Sequence, residues 1–78
     1  MPDTPQTEIG GHVVKVSMPR MGGAYPVLED YIVNESDPER AKQIIRAILS
    51  PDDSIESVRP VKRAAMPSDL PVGAYRPW

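Results

Sequence analysis

Residues Ser36 to Pro51 carry a helix signal marked at both ends, the only long helical pattern in this 78-residue chain. The segment opens Ser36-Asp37-Pro38-Glu39. Ser36 and Glu39 have capping-box spacing, in which a hydroxyl and a carboxylate each satisfy an unpaired backbone N–H. Asp37 and Pro38 offer a second start, an aspartate N-cap followed by a proline whose missing N–H costs nothing at the first helical position. Ala41, Ile44, Ile45, Ile48 and Leu49 then recur at helical period, with Arg40, Lys42, Gln43 and Arg46 on the other side. Pro51 disfavours helical geometry at Ser50 and ends the run. The expected helix has about 13 residues and spans about 20 Å. Its one narrow apolar face suits packing on a sheet.

The strands of that sheet are read from alternation. His12 to Met18 places Val14, Val16 and Met18 on one face and Val13, Lys15 and Ser17 on the other. Val27 to Val33 places Leu28, Asp30 and Ile32 against Val27, Glu29, Tyr31 and Val33. Pro19 to Pro26, with Gly22-Gly23 at its centre, is a long connection for a hairpin. After an aspartate turn at Asp52-Asp53, Ile55 to Val61 reads as a third strand. There Ile55, Ser57, Arg59 and Val61 oppose Val58, and Pro60 makes it an edge strand.

The expected fold class is therefore α+β: a single small ββαβ domain, with a three-stranded sheet and one helix on one face. The first two strands form an antiparallel hairpin, and the strands flanking the helix take a right-handed crossover if they lie parallel. Residues 1–11 are expected to be a flexible lead, 12–62 the domain, and 63–78 an extended Pro-rich tail with no periodicity. This order is common to many unrelated small domains and carries no function with it.

One helix covers one face of such a sheet. Tyr31, Val33, Val13 and Val58 are the candidates for the face left over. A core this small, with no disulfide to brace it, is expected to gain from pairing as a homodimer. Charge is uneven along the chain. Residues 29–57 hold eight acids against three bases, and residues 58–78 hold four bases against one acid. An acidic body with a basic tail permits self-association or an acidic partner, with an ordinary solvated surface the preferred reading. The chain has no cysteine, hence no thiolate metal site. No apolar run reaches the roughly 20 residues of a membrane span, and Met1–Gly11 lacks signal-peptide features. A cytoplasmic protein is expected.

Catalytic signals are missing from the sequence. His12 is the only histidine and reads as a surface residue at a strand end, because metal-binding histidines come in spaced clusters. Glu29 and Asp30 point to opposite faces of a strand and cannot share one proton. Asp52-Asp53 suits a turn, without EF-hand spacing. Gly22-Gly23 is followed by a strand, so the helix N-terminus of a phosphate loop is lacking. The six serines have no nucleophile-elbow context. No enzyme activity, cofactor or metal is expected.

Binding residues are more evident. Arg20, Met21 and Tyr25 give the hairpin loop a basic, soft and aromatic set suited to a peptide or small ligand. Tyr75, Arg76 and Trp78 interleave aromatics with arginine near the C-terminus. Trp78 needs a cover, either the open sheet face or another protein. The expectation is a non-catalytic protein-interaction or regulatory module acting as a homodimer. It would work through its exposed sheet face, the 19–26 loop or the tail. The alternatives are nucleic-acid binding through the basic aromatic tail, which the net charge of −2 disfavours, and a small-ligand site at a dimer seam.

Overall fold

The computed structural model describes residues 8–19 and 25–78. It is a small α+β fold with four strands rather than three. Chain order is β1 (Ile9–Met18), β2 (Val27–Val33), α1 (Pro38–Arg46), β3 (Ser54–Lys62), a 3₁₀ turn (Arg63–Ala65) and β4 (Tyr75–Pro77). The sheet order is β3-β1-β2-β4, antiparallel at every seam. β2 and β3 therefore run parallel to each other with β1 between them.

Asp37, and not Ser36, caps the helix. Its carboxylate accepts the Glu39 N–H at 2.9 Å, and Pro38 follows at the first helical position. Glu35 contributes its own carboxylate to the Asp37 N–H at 3.1 Å. The helix is shorter than its apolar pattern. Ile48 and Leu49 donate to Ile45 and Arg46, three residues back, so the last turn tightens out of α geometry. The Ser50–Asp53 turn then closes, with the Asp53 carboxylate accepting the Ser50 N–H at 2.9 Å.

α1 covers the first face of the sheet. Val14, Val16, Val33, Ala41 and Ile45 form its buried core, ringed by Met18, Tyr31, Ile44, Leu49, Ile55 and Val58. Tyr31, Val33 and Val58 thus lie beneath the helix and not on the leftover face. For Val58 the reason is a bulge. Lys15 pairs with Ser57 but Val16 pairs with Ile55, which leaves Glu56 unmatched. The extra residue turns Ile55 to the side of Val58, where strict alternation would oppose them. His12 also departs from expectation. It is 4% exposed, and its Nδ1–H donates to the Glu35 carbonyl at 2.9 Å, beneath the connection into α1.

The second face is half covered, and the cover is the expected tail. Residues 63–78 are not an extended arm. They turn back across the sheet, pack Leu70 with Val13 and Ile32, and add β4 beside β2. Two glycines in β1 admit this return. A Cβ at Gly10 would meet the Arg63 Cα at 2.6 Å, and one at Gly11 would meet the Met66 Cε at 2.5 Å. Gly73 supplies the one left-handed backbone position among the described residues, at φ 83°.

The β3 edge of the sheet is blunted. Asp30 accepts the Trp78 N–H and Asn34 donates to Ala74, so even-numbered residues of β2 turn their backbones to β4. Alternation across the ladder then points Val58 and Pro60 of β3 outward. Pro60 has no N–H to offer there, which protects the edge.

Candidate functional site

The surface left uncovered is the hairpin-proximal half of the second face. Alternation and register place Lys15 and Ser17 of β1, Leu28 and Asp30 of β2, Ser57 and Arg59 of β3, and Arg76 and Trp78 on that side. Leu28 is 55% exposed and Trp78 60%. They are held by opposite means: Leu28 by its place in a strand, Trp78 by the single hydrogen bond of its N–H to the Asp30 carbonyl at 2.8 Å.

Lys15 and Asp30 face each other directly across the β1–β2 seam. They make no ion pair, and the Asp30 Oδ1 is buried without a hydrogen-bond partner among the described residues. Among the described residues Arg59 likewise makes no ion pair. Arg76 is engaged: its Nη1 donates to both carboxylate oxygens of Asp69 at 3.1 Å. The patch therefore mixes two large apolar groups with charges of both signs.

The expected binding residues do not converge. Arg20 and Met21 lie outside the described residues. Tyr25 is 83% exposed at the hairpin end of the sheet. Tyr75 pairs with Val33 at the far end of β2, about 20 Å along the strand. Tyr75 also faces the helix side, where its ring meets Tyr31 edge-on at 6.0 Å. Burial, then the charges of Glu29, Tyr75 and Asp53, hold the Tyr31 hydroxyl above its ordinary range. Alternation sends Arg76 and Trp78 to the second face, away from Tyr75. Lys15, Leu28, Asp30 and Arg59 joined the surface without a sequence signal of their own, although the alternation of β1 and β2 already placed Lys15 beside Val13 and Leu28 beside Asp30.

Two shallow grooves lie elsewhere. One of about 550 Å³ runs between the end of α1 and the start of β3, lined by Arg46, Leu49, Ser50, Asp53 and Ile55 among others. The other, of about 480 Å³, lies along Glu35, Arg40, Gln43 and Ile44. His12 lines neither. Among the described residues no three His, Asp or Glu side chains gather as a metal site, and no helix is long and apolar enough to cross a membrane.

The fold and this patch define a small α+β domain with one helix on an antiparallel sheet and a half-open second face. Comparison with protein-family models, with curated proteins and with solved structures finds no match.

Proposed function

We propose that the chain is a non-catalytic interaction module that pairs with a second copy of itself through the uncovered half of its second sheet face. The observation that carries this is the exposure of Leu28 and Trp78 on one face, around the Lys15–Asp30 pair. Large apolar groups ringed by mixed charge are the makings of an interface core and rim.

Shape favours a second copy as the occupant. A two-fold contact sets the same patch against itself. Leu70 and the segment around it cover Val13 and Ile32, while Leu28 lies open beyond them. A two-fold axis across the strands seats each covered half on the other copy's open half. Pairing through the β3 edge is disfavoured, because Pro60 offers no N–H there.

Sedimentation velocity from micromolar to submillimolar concentration tests the reading. The wild-type chain should dimerise. Leu28→Ser and Trp78→Ser should each weaken the dimer at least tenfold, roughly the cost of one interface anchor. Ile48→Ser, on the helix side, should leave it unchanged. A wild-type chain that stays monomeric throughout refutes self-pairing, as does an Ile48→Ser defect equal to the other two.

A further inference from the structure

The segment that covers the other half of the second face is fastened at few points. We propose that residues Pro67–Trp78 form a strap that opens as a unit from the folded body, carries Trp78 off the contact face and so switches that face off. Its gating role rests on the face being the contact surface; the opening itself does not.

Leu70 is the only buried residue in the strap, at 7% exposure. Beside the β2–β4 ladder and the Trp78 N–H on the Asp30 carbonyl, the polar fastening is Asn34. Its Nδ2 donates to the Leu70 carbonyl at 2.6 Å and its N–H to the Ala74 carbonyl at 2.9 Å, while its carbonyl accepts the Gly73 N–H at 2.7 Å. The three residues of β4 are all exposed. The Arg76–Asp69 ion pair joins two residues of the strap itself, so it travels with the strap and tethers nothing.

The chain just before the strap is held differently. The Arg63 N–H donates to the Glu8 carbonyl at 2.8 Å, the two side chains pair at 3.1 Å, and Gly10 and Gly11 let Arg63 and Met66 lie against β1. The hinge therefore falls at Met66–Pro67. One buried residue in the strap, against five in the core beneath the helix, marks the strap as a unit of low local stability. Opening bares Val13 and Ile32, now 3% and 0% exposed. Loss of that burial keeps the open form a minor state.

Amide hydrogen exchange by NMR on the intact chain, at a dilution where sedimentation shows monomer, tests this. The Gly73 and Trp78 amides report the strap and those of Val14 and Val16 the body. Gly73 and Trp78 should share one protection factor, at least a hundredfold below that of Val14 and Val16, and should respond less steeply to urea, since less surface opens. Ala41→Gly, in α1, should speed Val14 and Val16 about fivefold or more and leave Gly73 and Trp78 within about twofold. Asn34→Ala removes a side-chain hydrogen bond that breaks in either opening and should speed all four amides, up to about tenfold. Equal protection and equal urea response across the four wild-type amides overturn the strap. So does equal acceleration of all four by Ala41→Gly, or a protection difference above tenfold between Gly73 and Trp78. Because dilute monomer is measured, the outcome is independent of self-pairing.

Discussion

Gly11→Ala should destabilise the whole domain, although alanine is the better strand residue. A Cβ at Gly11 would sit closer to the Val33 carbonyl oxygen, the Met66 Cε and the Met66 Sδ than the 3.0 Å that real Cβ atoms keep. The methionine can swing aside. The Val33 carbonyl cannot, because β2 is held between β1 and β4. Overpacking against a fixed neighbour costs about 1–3 kcal/mol. Relief of glycine's backbone entropy returns about 0.5–1 kcal/mol. The net loss is about 0–2.5 kcal/mol, near 1 kcal/mol at the middle of both ranges, against a total of about 4–12 kcal/mol for a domain of this size. For so short a chain a loss of about 1 kcal/mol lowers Tm by about 4–8 °C. Thermal melts and urea melts, both followed by far-ultraviolet circular dichroism, give the number twice. Met66→Ala in the Gly11→Ala background should recover only the methionine part of the clash. That appears as a coupling of about 0.5–1 kcal/mol in a double-mutant cycle. If Gly11→Ala melts at or above the wild-type temperature, the close approach of β1 to β2 and Met66 is wrong.

Other outcomes follow from single contacts. Asp37→Ala should cost about 1 kcal/mol and reduce helical circular dichroism, whereas Ser36→Ala should be close to neutral, because only Asp37 accepts a helix N–H. A urea midpoint shift in both variants, or in Ser36→Ala alone, contradicts the cap. Tyr31 links stability to alkaline pH. Its folded form holds the proton more tightly than the unfolded chain, whose tyrosines ionise near pH 10. The folded state therefore binds more protons above that pH, and stability falls as pH rises through about 10 toward the folded value. Urea melts across this range should show the fall, and Tyr31→Phe should flatten it.

The first layer of the fold was legible because its signals are local. Asp37-Pro38 sits beside the residues it caps, and Val14, Val16 and Val33 show their face within a few residues of strand. Local signals failed wherever an interruption mattered. The unmatched Glu56 reverses the parity of β3, and nothing in Ile55-Glu56-Ser57 announces it. His12 reads as a polar strand end, yet the Glu35 carbonyl 23 residues away satisfies its ring and permits its burial. The site was less legible still. Alternation put Leu28, Asp30 and Lys15 on definite faces, but which face the helix would take depended on Ala41 and Ile45 meeting Val14.

The second layer could not be read at all, and the reason bears on what it does. Its cover has no period, because a strap needs only one side chain over the sheet, and here that is Leu70. It has no caps, because Asn34, 36 residues from Leu70, supplies the hydrogen bonds that an element of its own would have made. Gly10 and Gly11 make room for it in another strand, where they look like the end of a flexible lead. A layer held by one leucine, one asparagine and a three-residue strand has less burial to lose than the helix layer, which buries five residues. Both faces of this sheet carry a core cluster, but the second is the smaller, three buried residues against five, and under the strap proposal it is the one that opens first.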